Sequence, residues 1–536
     1  MMISIHTKRF MLPLYGLLLL AVLTTPSCKK VTEIADPYEG GKQPLGIKFA
    51  NESAIPESGI QGEEATFKVT GLRAFEGKFK IFLNENETEV LKLTDSTITV
   101  KVPLTASTGG ITVVAEGQTF FGPSFPIEGR LSIDASFKVV SGANAPIYGM
   151  IPFDNSYLMV GVFSDFDGKA ALKPVNGVSM MSKQGEFQAL NTGKGADMGA
   201  LFSVNRLDNG KFIVAGLLNS YNRREGISNI TRLNSDGSLD SSRVNVINLT
   251  PIDTLKGYDT VATFNGGVNG IIRKSFVRNN KITVLGSFSH YYRYFYERST
   301  REEKRIDATK MNQMARLKAD GTMDSTFNFN LATRQGMAGL NGSIADAFMQ
   351  EDGKIVAIGE FSTFNGASAN RITRINEDGS QDKSFNTGSG ADDIITSITY
   401  NRVKRKILIT GLFRNFNGKP SNGAVMLNED GSTDNLFNLG PVTGGIVTFA
   451  HQLNSGKIIV SGGFKTYNNV VRQGFMILNQ NGSLAAGYNN TGTFQGLIST
   501  VIETTSALGN PAVILSGYIG KFDNKRVGSV VRVEIK

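Results

Sequence analysis

An eight-residue word recurs along this chain at nearly regular intervals. One copy reads GEFSTFNG, and consecutive copies begin 51 to 73 residues apart. The seven copies begin at Gly161, Gly216, Gly286, Gly359, Gly411, Gly462 and Gly517. A second word built on Asp-Gly, as in EDGSQDKSF, alternates with the first and also occurs in seven strong or weak forms. Self-similarity at this period indicates stacked units, none of which can bury a core alone.

Each unit reads as four antiparallel strands. In the fourth unit we predict strands at 343–350, 354–361, 371–376 and 381–385. They are separated by EDGK, FNG and EDGS, and Asp-Gly and Asn-Gly are preferred in tight hairpins because glycine accepts a positive φ. Four-stranded antiparallel units that repeat radially are the blades of a β-propeller.

The ends of the repeat region predict how the ring closes. The region begins with an isolated fourth-strand word, LSIDASF, at residues 131–137, and the chain ends at Lys536 before the last unit has a fourth strand. If the first segment completes the last unit, no unpaired strand edge remains to invite aggregation. We therefore predict an all-β fold in which residues 129–536 form a seven-bladed β-propeller closed by an N-terminal strand.

The eight-residue word itself is predicted to be structural. Its glycine allows a close approach of two backbones. Its two aromatic side chains, Phe361 and Phe364 in the fourth unit, are expected to pack between neighbouring blades. We assign no chemistry to them.

Composition agrees with a folded, turn-rich chain. The sequence is 40% apolar and 19% charged, and it has 60 glycines in 536 residues. That excess of glycine without a collagen period indicates many tight turns between short strands. The formal net charge is +9, but the basic residues are scattered and form no aromatic-interleaved stripe. We therefore expect no nucleic-acid partner.

The N-terminus has the pattern of a secretory signal. Lys8 and Arg9 precede an apolar stretch that is too short to span a bilayer comfortably, and the only cysteine, Cys28, follows small residues. The pattern resembles a bacterial lipoprotein signal, which implies a signal peptide at 1–27 and a lipid on Cys28. The alternative is a plain secreted protein with an incidental cysteine. Residues 28–44 are polar and aperiodic, which suits a tether.

Residues 45–128 alternate in polarity with a period of two, as in ATFKVTG and STITVKVPL. This pattern predicts strands with one wet face, as in a sandwich. The run from Thr94 to Ile127 resembles the immunoglobulin-like IPT/TIG domain, which implies an Ig-like β-sandwich that serves as a spacer or partner-binding module. The repeats from about residue 131 onward resemble the bacterial delta-60 propeller repeat.

The third unit exceeds the repeat in two places. One insertion, VNVINLTPIDTLKGYDTVATFNGG, precedes the unit, and the other, HYYRYFYERSTREEKRIDATKMNQ, joins its second and third strands. Both connections leave a propeller on the same face, and loops that exceed the repeat are good functional candidates. The candidate ligand- or partner-binding residues are Tyr291, Tyr292, Arg293, Tyr294, Phe295, Tyr296 and Arg298. The alternative is an elongated hairpin in which the aromatics fill space across the strands.

Catalysis has little support in the sequence. His290 and His451 are isolated, and no nucleophile elbow, zinc motif or phosphate-binding loop occurs. The Asp-Gly words lack the closing glutamate of a calcium loop. We predict no catalytic residue, metal site or cofactor, although the sequence does not tell which acids converge on a central channel.

The combined resemblances imply a non-catalytic lipoprotein of the outer membrane in a Bacteroidetes-like bacterium, on the cell surface. Such proteins accompany TonB-dependent importers of the starch-utilisation (SusCD) type, so the implied partners are the importer or its lid lipoprotein, with a glycan or peptide as ligand. Contact with the membrane would come through the lipid only. Two alternatives stay open: a propeller hydrolase or lyase with acids in the channel, and a structural adhesin or scaffold.

Overall fold

The computed structural model describes residues 42–196 and 199–536, so the predicted signal peptide, Cys28 and most of the predicted tether lie outside the described residues. Gly46–Lys536 form one compact unit. In the described part the chain is all β, without α-helix, and has three 3-10 turns. These turns are Arg73–Phe75, Thr254–Gly257 and Tyr296–Arg298. The described residues contain no helix with the length and apolarity of a membrane span.

Two four-stranded antiparallel sheets precede the repeats. In sheet order, the first has the strands Lys48–Phe49, Glu64–Thr70, Thr97–Lys101 and Val90–Leu93, and the second has Asn86–Glu87, Phe79–Leu83, Gly109–Ala115 and Gln118–Phe125. Burial alternates along Gly109–Ala115, as the period-two pattern predicted. Phe67 and Phe125, one from each sheet, are buried and meet edge to face at 5.8 Å. The two sheets therefore share one core.

Seven further antiparallel sheets follow in chain order and are numbered 1 to 7. Their main strands, first to third, are Ile147–Phe153, Ser156–Gly161 and Val178–Ser182 in sheet 1; Ala200–Arg206, Phe212–Leu217 and Ile230–Leu233 in sheet 2; Ile271–Arg278, Lys281–Ser287 and Met314–Lys318 in sheet 3; Ile344–Met349, Ile355–Gly359 and Ile372–Ile375 in sheet 4; Ile395–Asn401, Lys406–Gly411 and Ala424–Asn428 in sheet 5; Val447–Gln452, Ile458–Gly462 and Phe475–Leu478 in sheet 6; and Gln495–Thr505, Pro511–Phe522 and Val530–Ile535 in sheet 7.

The connections between the main strands contain additional short strands. They are Phe187–Gln188, Ser220–Tyr221, Arg224–Glu225, Ser241–Asn245, Tyr258–Ala262, Gly267–Val268, His290–Tyr294, Ile306–Lys310, Phe329–Asn330, Gln335–Gly336, Thr363–Phe364, Ala367–Ser368, Asn415–Phe416, Lys419–Pro420, Val442–Thr443, Thr466–Tyr467, Val470–Val471 and Lys525–Arg526. Most of them flank the turn that follows a second strand.

Buried hydrophobic residues form a core cluster at each junction between consecutive sheets. The cluster between sheets 3 and 4 contains Phe361 and Phe364 together with Leu285 and Phe327. The expectation that these aromatics pack between neighbouring units is thus confirmed. A similar cluster joins sheet 7 to sheet 1. The first strands of consecutive sheets also lie side by side, and those of sheets 7 and 1 are in contact.

The strand Leu131–Ile133 completes sheet 7. It pairs antiparallel with Val530–Ile535, as expected for residues 131–137. Just after it, Asp134 Oδ2 lies 2.6 Å from Arg532 Nε, and both side chains are buried. Residues almost 400 positions apart are thus joined in one sheet.

The same ion pair recurs within single units. Arg374 Nε lies 2.8 Å from Asp382 Oδ2 in sheet 4, and Arg374 Nη1 donates to the carbonyl of Glu429 in sheet 5. Arg532 Nη1 likewise donates to the carbonyl of Lys183 in sheet 1. Burial disfavours ionisation of Asp382, but hydrogen bonds from Lys354 and Ser384 outweigh it and hold the pKa of this carboxyl below its usual range. The contact of sheet 7 with sheet 1 therefore repeats the contact between sequential sheets.

The glycine that begins each eight-residue word faces a bulge in the first strand. A Cβ atom on Gly359 would lie 2.0 Å from the carbonyl oxygen of Ser343, and the other six glycines meet a first-strand or preceding carbonyl at 1.9 to 2.2 Å. In all seven sheets the pairing register of the first and second strands shifts directly after the residue that carries this carbonyl, as between Ile344 and Asp346. No side chain fits there, which explains why the glycine recurs.

The predicted fourth strand is wrong for most units. In sheet 4 the segment expected at 381–385 is reduced to a single bridge between Ile375 and Gln381, and sheets 2, 3, 5 and 6 are alike. The reason is local. Asp382 Oδ1 accepts hydrogen bonds from the backbone N–H and the hydroxyl of Ser384, which turns the chain away from the extended conformation.

Candidate functional site

The two insertions of the third unit form neighbouring hairpins. One pairs Ser241–Asn245 with Tyr258–Ala262, and the other pairs His290–Tyr294 with Ile306–Lys310. The backbone N–H of Ile247 donates to the carbonyl of Ser299 at 2.7 Å, and Lys304 Nζ lies 2.7 Å from Asp259 Oδ2. The insertions therefore lie side by side, as expected. We call them the sheet 3 hairpins.

Tyr291 belongs to the core rather than to a binding surface. Its side chain is buried in the cluster between sheets 2 and 3, and its hydroxyl donates to the carbonyl of Gly321 at 3.0 Å. Burial raises the pKa of Tyr291 to about 12. Tyr221 and Tyr467 occupy the same position of the eight-residue word in their units. Their hydroxyls likewise donate to the carbonyls of Gly237 and Gly482, the glycines of the Asp-Gly or Asn-Gly turns that follow. The repeat thus accounts for Tyr291, and a ligand has no access to it.

Three more tyrosines of the candidate set are half-buried. Tyr292 pairs with Gly267 and Ala308, and the backbone of Tyr294 bonds both amide atoms of Asn265. The rings of Tyr294 and Tyr296 are stacked 6.1 Å apart, and burial raises the pKa of Tyr296 above its usual range. These contacts match the alternative interpretation, in which an elongated hairpin is filled by its own aromatics.

The remaining candidates lie at the hairpin tip. Phe295 is half-buried between two exposed arginines: the guanidinium carbons of Arg293 and Arg298 lie 5.8 and 5.4 Å from its ring centroid. On the adjacent hairpin, Leu249 and Ile252 are 78% and 97% exposed. Sequence analysis did not single out these aliphatic residues, although they fall in the first insertion. The tip thus offers one aromatic, two guanidinium groups and apolar side chains.

A chain of cavities runs through the middle of the seven sheets. One cavity, of about 480 Å³, is lined by first-strand residues or their immediate neighbours from all seven sheets, among them Arg273, Asp346 and Ser397. It shares Tyr148, Phe202 and Lys274 with a second cavity of about 320 Å³. Because first strands line both cavities, we call the pair the central channel.

The channel opens towards two faces. The turns after the second strands and the sheet-to-sheet connections share one end of the sheets, which we call the connection face; the sheet 3 hairpins lie there. A cavity of about 690 Å³ lies at the opposite end, with Glu351 and Glu429 in its lining. It shares Tyr400 and Arg402 with the channel.

The channel wall combines aromatic and charged groups. The rings of Phe348 and Tyr400 are stacked 4.7 Å apart at 12°, and those of Tyr148 and Phe202 are 5.0 Å apart. Arg273 lies over Phe202 at 5.0 Å. Burial and a hydrogen bond to Glu429 raise the pKa of Tyr400. Sequence analysis named the channel without assigning these residues, because no sequence pattern shows which side chains of seven units converge.

The channel does not present the acid pair of a typical glycosidase. Among the described residues that line its two cavities, Asp346 is the only carboxylate, and it lies 2.9 Å from Lys274 Nζ. A glycoside hydrolase needs two carboxyl groups across the bond that is cleaved. At the end opposite the connection face, Glu429 already accepts hydrogen bonds from Tyr400 and Arg405. The described residues also contain no group of three metal-ligating side chains.

The N-terminal sheets contact the connection face at sheets 6 and 7. The backbone N–H of Thr108 donates to the carbonyl of Asn490 at 2.8 Å, and Asn490 Nδ2 donates to the carbonyls of Ile127 and Leu131. Gln473 Nε2 also lies 3.1 Å from Asn84 Oδ1. These residues are largely buried, so the two parts form a fixed junction rather than a loose pair.

Comparisons with known proteins agree with the repeats. Residues 23–123 match DUF5008, a domain of unknown function. Residues 207–242, 350–385, 405–437 and 453–484 match DUF5122, a domain of unknown function described as a beta-propeller. These four segments fall in sheets 2, 4, 5 and 6. None of the curated proteins compared with the chain matches it.

Several solved structures are similar over most of their length. The WD40 beta-propeller domain of Doa1 is 14% identical, with a TM-score of 0.38, over 75% of this chain and 96% of that one. A protein of unknown function from Bacteroides thetaiotaomicron is 12% identical, with a TM-score of 0.24, over 92% and 98%. An auxiliary nutrient binding protein from Bacteroides ovatus is 13% identical, with a TM-score of 0.26, over 91% and 97%. We draw no functional conclusion from likenesses at this level. The described residues are thus all β, and the chain has one segment that matches DUF5008 and four that match the DUF5122 beta-propeller.

Proposed function

We propose that the chain is a non-catalytic cell-surface binding protein, a lipoprotein of the outer membrane that serves a TonB-dependent importer of the SusCD type. Its ligand is a glycan or peptide, or its partner is the importer or the importer's lid. The observation that carries the binding role is the tip of the sheet 3 hairpins, where Phe295 lies between Arg293 and Arg298 on a loop that the fold does not require.

The proposed architecture is a seven-bladed propeller that carries an Ig-like sandwich of the IPT/TIG type. The core cluster between sheets 7 and 1 and the bond from Arg532 to the carbonyl of Lys183 support a closed ring. In such a ring, sheet 3 lies opposite sheets 6 and 7. The sandwich and the sheet 3 hairpins would then stand on opposite sides of the channel mouth.

Aromatic and arginine side chains at the tip suit recognition of a partner. Both residue types are enriched among the contacts that dominate binding energy. Arg293 and Arg298 are exposed, and no ion pair within the described residues occupies them. Each guanidinium group also lies within 6 Å of the ring centroid of Phe295, a distance at which a cation–π attraction holds it. A carboxylate or a sugar ring could therefore replace water there without breaking an internal salt bridge.

Trimming the hairpin tests this role. Because Tyr294 pairs with Ile306, residues 295–305 can be replaced by an Asn-Gly turn without changing the register. Tyr291 must stay, since it belongs to the core. We expect the variant to fold and to lose binding. The measurement is calorimetric titration with neutral oligosaccharides, oligopeptides and the purified importer lid, together with a melting curve.

A point variant refines the test. Phe295→Ala should weaken binding by about 1–2 kcal/mol. Phe121→Ala, on an exposed aromatic of the N-terminal sheets, serves as the matched control and should leave binding unchanged. Full binding by the trimmed protein would contradict the proposal. Failure of the trimmed protein to fold, combined with normal binding by Phe295→Ala, would also count against it.

The membrane anchor rests on Cys28, the only cysteine of the chain. We expect Cys28→Ala to release the protein from the membrane fraction. The lipid on Cys28 is the only proposed attachment to the bilayer, and the variant cannot carry it. Fractionation and labelling with radioactive palmitate check this. A Cys28→Ala protein that stays in the membrane fraction and still takes up palmitate would refute the anchor.

A further inference from the structure

We propose that the central channel is a second binding site, separate from the sheet 3 hairpins, and that it takes an oligosaccharide that carries carboxylates, such as a chain of uronic acids. Nothing in the repeat requires the side chains that carry this proposal. The channel provides three features together: ring faces, hydroxyl groups with spare hydrogen-bonding capacity, and unpaired arginines.

The channel has the size and continuity of a ligand site. Its two cavities measure about 480 and 320 Å³ and share Tyr148, Phe202 and Lys274. Ligand pockets typically span ~300–1,000 Å³. Each cavity can therefore hold a sugar-sized group, and an extended ligand can occupy both.

Two aromatic pairs stand at different depths of the channel. Tyr148 and Phe202 line both cavities, whereas Phe348 and Tyr400 line only the cavity that continues to the end opposite the connection face. All four rings are half-buried, so part of each faces the cavity. The C–H face of a pyranose ring is apolar and packs on aromatic rings, which bury a large area while leaving a polar edge free. Two such platforms suit a ligand made of several rings.

Hydroxyl groups complete the wall. Ser397, Ser499 and Thr500 line the channel, and in the described part of the protein their side-chain hydroxyls make no hydrogen bond to another protein group. Each hydroxyl offers one donor and two acceptor positions. Neighbouring Thr396 and Thr399 instead bond backbone carbonyls. A polyhydroxylated ligand matches the free groups better than an apolar one does.

The charge of the wall selects an anion. Arg273, Lys274 and Arg402 face the channel, but only Lys274 has a carboxylate partner, Asp346. The two arginines lie towards opposite ends, since Arg273 is near the start of a first strand and Arg402 follows the end of another. Arginine binds carboxylates through two parallel hydrogen bonds. A ligand with carboxylates spaced along its length can engage both ends.

The test is a titration of the full mature chain with trigalacturonate, with neutral galactotriose as the comparison probe. We expect binding of the acidic probe only. Arg402→Gln should weaken it by about 10- to 100-fold, because a charge-assisted hydrogen bond is lost. Arg402 is exposed, so this variant should fold normally. Arg301→Gln, an exposed arginine of the sheet 3 hairpins, is the matched control and should bind as the parent does.

A second variant addresses the rings: Tyr148→Ala should weaken binding as well, and its melting curve shows whether the fold persists. The trimmed 295–305 protein should keep trigalacturonate binding, which separates this site from the proposed hairpin site. Three results would overturn the proposal: no binding of trigalacturonate, equal binding of galactotriose, or normal binding by Arg402→Gln. Competition by poly-glutamate at equal strength would likewise overturn it by assigning the channel to acidic peptides.

Discussion

Asp134→Ala is expected to lower the free energy of unfolding by about 3–5 kcal/mol, the usual cost of leaving one partner of a buried ion pair alone. Asp134 and Arg532 are each about 2% exposed, and their closest atoms lie 2.6 Å apart. Arg532 would keep its bonds to Lys183 and Ser136 but would carry an uncompensated charge in the core. Denaturant unfolding followed by circular dichroism measures the change.

A matched surface pair provides the control. Asp154 and Arg206 also form an ion pair, at 2.9 Å, but both side chains are largely exposed. Asp154→Ala should therefore cost less than about 1 kcal/mol. The double variant Asp134→Ala with Arg532→Met should recover much of the loss, because no buried charge remains. Equal effects of Asp134→Ala and Asp154→Ala would show that the closing contact does not stabilise the fold.

Removing residues 131–137 extends the same experiment. The deletion takes away the strand Leu131–Ile133, the ion pair and the buried side chain of Leu131, so its cost should exceed that of Asp134→Ala by several kcal/mol. An unchanged melting temperature would mean that sheet 7 is complete without this segment.

Phe364→Ala is the second large effect that we expect, at about 3–5 kcal/mol. Phe364 is fully buried and packs with Phe327, Leu340 and Phe361 at the junction of sheets 3 and 4. Truncation leaves a cavity between sheets 3 and 4, and the strands of these sheets can move only part of the way to fill it. The midpoint of denaturant unfolding should fall while binding of any ligand at saturating concentration is retained.

Phe121→Ala isolates the contribution of burial. Phe121 is 78% exposed on the N-terminal sheets, and its loss should change stability by less than about 0.5 kcal/mol. If Phe364→Ala were as mild as Phe121→Ala, the eight-residue word would not be a core element, and its recurrence would need another explanation.

The repeat words predicted the main sheets because their recurring residues are each required by the local backbone conformation. Gly359 recurs because a bulge brings a carbonyl against it, and Asn365-Gly366 recurs because both residues adopt a positive φ in the turn. The segment 131–137 resembles a fourth strand but is not preceded by the other three strands of a unit. Because the last unit lacks a fourth strand, the sequence predicted that this segment pairs with it. Such rules act over a few residues, so a single sequence reveals them.

Two predictions were wrong, the fourth strand of most units and the binding role of Tyr291, because the same residue type can have either of two structural roles. The second word resembles a hairpin followed by a strand, yet Asp382 bonds Ser384 and Arg374 and thereby ends the sheet. Tyr291 looked like part of an aromatic binding loop because it adjoins Tyr292 and Tyr294. Its place in the repeat, equivalent to Phe364, already indicated a core position.

The periodic words of this chain thus specified its main β-sheets and the pairing of its first repeat segment with its last. They act through neighbours in sequence, where turn geometry and period-two burial operate. Only the tertiary structure brought Tyr148, Phe202, Phe348 and Tyr400 to one channel and placed Asp346 against Lys274. Those side chains come from five different sheets, and their convergence depends on how the sheets pack around one another, which no local pattern encodes.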